Sequence, residues 1–193
     1  MEILGKILGS PARVKIMRLF LLNRAKGFTV KDIEKRSRVN IAQVRKEVNL
    51  LASIEFIKKR GVIWHFNPFF KYTSEFDSLL IGSESLDKES IGSLFKKVGR
   101  VKFLAVSGIF IKNKDSRVDL LIVGDRMKRG KIDESVRKLE AEIGVELVYA
   151  VFDTKEFTYR LSMYDKLVRD ILDFPHEVIL QAKELSTQSL KRP

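Results

Sequence analysis

Apolar residues recur at helical spacing at Val14, Met17 and Leu21, and Ile16 with Phe20 widens the stripe. Ser10 stands where it can cap this helix, and Pro11 falls in the first turn, where its missing N–H costs nothing. Gly27 closes the turn behind it. Thr29-Val30-Lys31-Asp32 has the pattern of a capping box, which opens a second, short helix running to Lys35 or Arg36. Ser37-Arg38-Val39 forms a turn. Asn40 then caps a third helix with Ile41, Val44, Val48 and Leu51 on its apolar side. Two strands, 56–59 and 62–66, flank a tight turn at Arg60-Gly61. Val62, Trp64 and Phe66 alternate onto one face of the second strand, and Pro68 ends the unit.

The pattern then changes. A short helix is predicted over 75–81, a polar, Ser-rich linker over 82–90, and a helix over 90–97 with Ile91, Leu94 and Phe95 apolar. From Val101 onward strands and helices alternate. A strongly apolar strand is predicted over 101–111. A second covers 117–123, with Val118, Leu120 and Ile122 on one face and Arg117, Asp119 and Leu121 on the other. Ile132, Val136, Leu139 and Ile143 stripe a helix that Gly144 terminates. A third strand follows over 145–152. A helix over 159–172 then turns Tyr164, Leu167, Val168 and Ile171 inward, and an apolar turn and a polar tail from Lys183 close the chain.

Charge sharpens this division. The 193 residues carry a net +12, and residues 1–70 hold 15 basic against 5 acidic side chains, while the remainder holds 22 against 20. A cationic excess confined to one segment is the electrostatic footprint of a polyanion binder. There are no cysteines and only two histidines, His65 and His176, so thiolate metal sites, disulfides and Cys nucleophiles are excluded and no metal or cofactor is expected. The longest apolar run, 103–111, is far short of the ~18 residues that suggest a membrane span. Lys6 interrupts the N-terminal apolar run, so no secretory signal is expected there. The expected setting is the cytoplasm, away from membranes.

Three helices and a hairpin within 68 residues make the layout of a winged helix-turn-helix. In that layout the exposed side of the third helix offers Ala42, Gln43, Arg45, Lys46 and Asn49 to a DNA major groove. Arg and Lys pair with guanine edges or phosphates, and Gln pairs with adenine. Gln43 has a second use, because it follows Asn40 by three and can close a capping box. Lys58, Lys59 and Arg60 concentrate charge at the hairpin tip, either for phosphate contact or to protect an edge strand. Ser10-Pro11-Ala12-Arg13-Val14-Lys15-Ile16, Val30-Lys31-Asp32-Ile33 and Val39-Asn40-Ile41-Ala42-Gln43-Val44-Arg45-Lys46-Glu47-Val48 resemble winged-helix transcription regulators of the ArsR type, over about residues 5–67. The resemblance implies double-stranded DNA as partner and a homodimer that sets two such helices about 34 Å apart.

The second half resembles the minimal nucleotidyltransferase domain of the DNA polymerase β type, over about residues 95–180. The likeness rests on Ser116-Arg117-Val118-Asp119-Leu120-Leu121-Ile122-Val123-Gly124-Asp125, Phe157-Thr158-Tyr159-Arg160, Tyr164-Asp165 and Ile171-Leu172-Asp173-Phe174-Pro175. Active members carry a Gly-Ser turn and two aspartates two residues apart. Here Ser107-Gly108 stands at the turn and Arg117-Val118-Asp119 at the pair, so only Asp119 remains. A two-metal site needs carboxylates that bridge ions ~3.5–4 Å apart. On a continuous strand Asp115 and Asp119 would lie about 13 Å apart. Arg117 is expected to pair with Asp119 or to await an anion.

The expected fold is therefore α+β: a winged helix-turn-helix at 1–70, a helical and polar linker at 71–95, and an α/β nucleotidyltransferase-like domain with a mixed sheet at 96–193. The expected function is DNA-binding transcription regulation. The second domain would be catalytically silent, with no catalytic residues, and would serve dimerisation or sensing. The alternative is a metal-dependent nucleotidyltransferase acting on a nucleic acid or protein. An RNA-binding accessory protein is a third reading.

Overall fold

The computed structural model describes residues 2–81, 88–113 and 115–185. The fold is α+β, with one antiparallel sheet and one mixed sheet. It divides into two units, residues 1–87 with 137–146, and residues 88–136 with 147–193.

In the first unit, local capping signals become helices. After α1 (Glu2–Ile7), the Ser10 hydroxyl accepts from the Arg13 N–H and starts α2 (Pro11–Leu22). Thr29 and Asp32 form the reciprocal capping box that opens α3 (Val30–Ser37). Arg38 takes the left-handed conformation (φ 54°) and turns the chain, and Asn40 accepts from the Gln43 N–H to start α4 (Ile41–Ser53). The sheet has the order β1-β3-β2, with β1 (Gly27–Phe28), β2 (Ile57–Arg60) and β3 (Ile63–Phe66) all antiparallel. Gly27 therefore belongs to a strand rather than a closing turn. A Cβ there would stand 2.3 Å from His65 Cε1 and 2.4 Å from Ile63 Cγ2, so glycine leaves room for these two side chains of β3. Helix α5 (Thr73–Leu80) follows.

The core of this unit is the inner stripe of α2 with Ile33, Val44, Val48 and Leu51, sealed by the sheet. Phe56 sits at its centre, edge-on to Phe66 and Phe70 at ring distances of 5.4 and 5.1 Å. Arg18 is buried among these residues. Its Nε donates to Leu80 O and its Nη1 to Glu142 O, and desolvation lowers its pKa.

The second unit is built on a four-stranded sheet of order β6-β5-β4-β7. Helix α6 (Lys88–Phe95) precedes β4 (Arg100–Val106), which pairs antiparallel with β5 (Leu120–Asp125) and with β7 (Glu177–Gln181). β6 (Tyr149–Phe152) runs parallel to β5, after α7 (Arg129–Ile143). Phe103, Ala105, Leu121 and Val123 form one buried face with Phe157, Val168 and Ile171 of α8 (Thr154–Ser162) and α9 (Lys166–Asp173). Leu104, Val106, Leu120 and Ile122 alternate to the other face and are buried as well.

Several expected elements are corrected here. The strand expected over 101–111 stops at Val106, because Gly108 (φ 54°) turns the chain into a 3-10 helix, Gly108–Ile111. The strand expected over 117–123 begins only at Leu120. Val118 consequently packs with Leu121 and Val123 instead of Leu120 and Ile122. The expected strand 145–152 shortens to β6. The helix expected over 159–172 is two helices, broken where Tyr164 takes φ 54° and Asp165 caps α9 through the Val168 N–H. Tyr164 is 65% exposed, not inward-facing. The apolar segment after His176 is strand β7. The linker expected at 82–90 lies outside the described residues as far as 87, as does the tail beyond Leu185. No helix among the described residues is long and apolar enough to cross a membrane.

Candidate nucleic-acid interface

Helix α4 buries Val44, Glu47, Val48 and Leu51. At about 100° per residue this stripe leaves Ala42, Lys46 and Asn49 on the far side, with Arg45 beside them. All four are exposed, and Gln43 is half-buried. The return bond from the Gln43 side chain to the Asn40 N–H is not formed among the described residues, so Gln43 is not held in a closed box. Glu47 is the acid of this helix, but it does not reach the exposed face. It is 2% exposed, and its Oε2 accepts from Arg13 Nε at 2.8 Å. The outward side of α4 therefore presents cations and amides without a carboxylate.

The hairpin differs from the expected cluster at a tip. Its turn is Gly61-Val62, with Gly61 at φ 60°, so Lys58, Lys59 and Arg60 lie within β2. Strand alternation sends them to opposite faces. Lys59 stands opposite Trp64, and its Nζ lies 5.5 Å from the centre of the indole ring. Lys58 pairs with His65 and Arg60 with Ile63 on the other face. Val62, expected beside Trp64 and Phe66, occupies the turn and is 73% exposed.

Between α4 and the hairpin runs an open groove of about 570 Å³. Arg45, Asn49 and Lys59 line it, joined by Lys31 from the first turn of α3 and by the apolar Val48, Val62 and Trp64. Among the described residues no carboxylate lines it. Asp32, next to Lys31, is engaged by the Thr29 hydroxyl and N–H, and the hydroxyl bond holds its pKa below the ordinary value. Gln43, Lys46, Lys58 and Arg60 lie outside this groove. Sequence reasoning did not single out Lys31, although its signal was present: with Ile33 and Ser37 as the inner stripe of α3, Lys31 must face outward.

The second constellation takes a different form from the expected one. Asp119 Oδ1 accepts from the Ile109 N–H at 3.0 Å, and Oδ2 accepts from the Val148 N–H at 2.9 Å. Gly108 lies against this carboxylate so closely that a Cβ would fall 2.1 Å from Oδ1. Arg117 does not pair with Asp119. Residues 117–119 precede β5, so the two do not share a strand face, and the Arg117 guanidinium pairs instead with Asp170 of α9. Ser107 is buried, its hydroxyl shared with Ser116 Oγ and donating to Pro175 O. Among the described residues no three His, Cys, Asp or Glu side chains group to hold a metal ion.

Fold and site together define a class only: a two-unit α+β protein with an acid-free cationic groove on its first unit. No family model matches the chain, and no curated protein or solved structure matches it.

Proposed function

We propose that the chain is a DNA-binding transcription regulator. Its first unit acts as a winged helix-turn-helix of the ArsR type. α4 enters the major groove and the β2–β3 hairpin serves as the wing. The observation that carries this is the acid-free surface formed by the outer side of α4 and the adjoining groove, where Lys31, Arg45, Lys46 and Lys59 gather. Four cations in phosphate or base contact release counterions, which makes binding steeply salt-dependent. Arg45, Lys46, Gln43 and Asn49 have the chemistry to read base edges. The active unit is a homodimer in the cytoplasm, with two α4 helices one DNA turn apart.

The second unit is a nucleotidyltransferase-like domain without catalysis, used for dimerisation or sensing. Support comes from Asp119, both of whose carboxylate oxygens accept backbone N–H bonds, and from Arg117, held by Asp170. A carboxylate committed to the backbone is poorly placed to ligate a metal ion.

The test is fluorescence anisotropy of the full chain on labelled duplex DNA between 50 and 200 mM salt, an interval of about fourfold chosen to resolve the counterion slope. Four contacts give a slope of log K on log salt of roughly −3.6. Arg45→Glu with Lys46→Glu should abolish binding. A salt-independent affinity, or one indifferent to the charge reversal, defeats the proposal.

A further inference from the structure

The groove beside α4 has a chemistry more specific than positive charge. Its lining combines the cations Lys31, Arg45 and Lys59 with the apolar side chains Val48, Val62 and Trp64. A sugar–phosphate strand has the matching alternation of anionic phosphate and apolar deoxyribose. A base edge does not. Trp64 is the single tryptophan of the chain, it is 9% exposed and the Lys59 ammonium lies over its ring, so little of that ring is open to a stacking base.

Lys59 is the cation that Trp64 organises. The two stand directly opposite in the β2–β3 register, so both side chains leave the same face of the hairpin. The ammonium lies 5.5 Å from the indole centre. A lysine has a long, freely rotating stem, and fixing it on binding costs side-chain entropy. Laid along the indole, Lys59 has given up part of that freedom before any ligand arrives. Lys58 and Arg60 face the other way.

We infer that this groove seats one sugar–phosphate strand of duplex DNA, with Lys59 as its phosphate contact and Trp64 as the residue that positions Lys59. The inference rests on the DNA-binding reading above. It makes the three hairpin cations unequal, and it gives Trp64 a role beyond core packing.

The experiment uses the full chain on a labelled duplex, with affinity measured against salt for the wild type, Lys59→Gln, Trp64→Leu, Trp64→Phe and the Lys59→Gln/Trp64→Leu pair. Lys59→Gln should flatten the salt slope by about one. Trp64→Leu should reproduce most of that loss, the double variant should bind no more weakly than Lys59→Gln, and Trp64→Phe, which keeps a ring beneath the ammonium, should restore most of the slope. A purely structural tryptophan would lower affinity without changing the slope. Emission from Trp64 in the wild type should change over the same DNA concentrations as the anisotropy. If thermal melting shows Trp64→Leu unfolded, the comparison of Trp64→Phe with Lys59→Gln and the wild-type emission decide the matter. Duplex binding with unchanged emission, or with Lys59 and Trp64 effects that multiply independently, overturns this inference and leaves the proposed function standing. A wild type that binds no duplex DNA overturns both.

Discussion

Replacing Asp119 with alanine separates a structural acid from a remnant of catalysis. The carboxylate accepts two backbone N–H groups, Ile109 at the start of the 3-10 turn and Val148 just ahead of β6. Hydrogen bonds to a charged acceptor contribute ~1.5–3 kcal/mol each. The Val148 bond lies in exposed surroundings, so the lower value applies to it, and the pair together gives about 3–4 kcal/mol as an upper range. Water can satisfy part of what is freed, which brings the expected loss for Asp119→Ala to about 2–3 kcal/mol. Asp119→Asn keeps one acceptor but turns an NH2 donor toward the other N–H, so most of the loss persists. Urea unfolding, followed by far-UV circular dichroism and tyrosine emission, should show the midpoint lowered by roughly 1–2 M at the m-values of small domains. The sign is what discriminates. An acid held ready for a metal ion sits at a cost to stability, and removing it commonly raises stability. An unchanged or higher midpoint for Asp119→Ala would refute the structural role and reopen the enzyme alternative.

Other consequences follow from single contacts. Lys46→Ala and Arg45→Ala should each weaken DNA binding by roughly 1–3 kcal/mol where the side chain makes a bidentate base contact, measured by anisotropy on a selected duplex. Gly124 faces β4 so closely that a Cβ would stand 2.3 Å from Arg100 O and 2.8 Å from Val101 Cα, both backbone atoms. Gly124→Ala should therefore lower stability by about 1–3 kcal/mol and reduce the melting temperature. The pKa of Asp125 is lowered to about 2, first by Thr154, whose N–H donates to Oδ1 at 3.2 Å, and then by the Lys102 ammonium 3.0 Å from Oδ2. Since the folded value lies below the ~3.9 of an unfolded aspartate, its stabilisation is present above about pH 4 and is lost as pH falls through about 2. Between those values the melting temperature of the wild type should fall more steeply than that of Asp125→Asn.

What was legible in the sequence was local. Ser10 with Arg13, Thr29 with Asp32 and Asn40 with Gln43 are caps whose partners lie three residues away, so pattern alone locates the starts of α2, α3 and α4. Apolar periodicity likewise marks α7, whose Ile132, Val136, Leu139 and Ile143 are all buried. Elements defined by distant pairing were not legible. β1 is two residues long and exists because Phe28 meets Trp64. β7 read as a turn because its partner, β4, lies more than 70 residues earlier. The break between α8 and α9 was hidden by an apolar period that runs through it, although Asp165 three residues before Val168 was a usable cap signal. In the site, period-two alternation would have separated Lys59 from Lys58 and Arg60. Helical spacing puts Glu47 on the inner side of α4 with Val44, Val48 and Leu51, but nothing local could have shown that Arg13 meets it there, or that Arg117 takes Asp170 in place of Asp119.

The most direct measurement asks which surface touches DNA. A photoreactive amino acid is installed in the full chain at Ala42, on the exposed side of α4, or at Ser162, exposed at the end of α8. Each protein is irradiated with the same labelled duplex, and covalent adducts are counted on a denaturing gel. Position 42 should give a salt-sensitive protein–DNA adduct and position 162 none. Adducts at position 162 with none at position 42 would contradict the assignment of DNA binding to α4 and its groove.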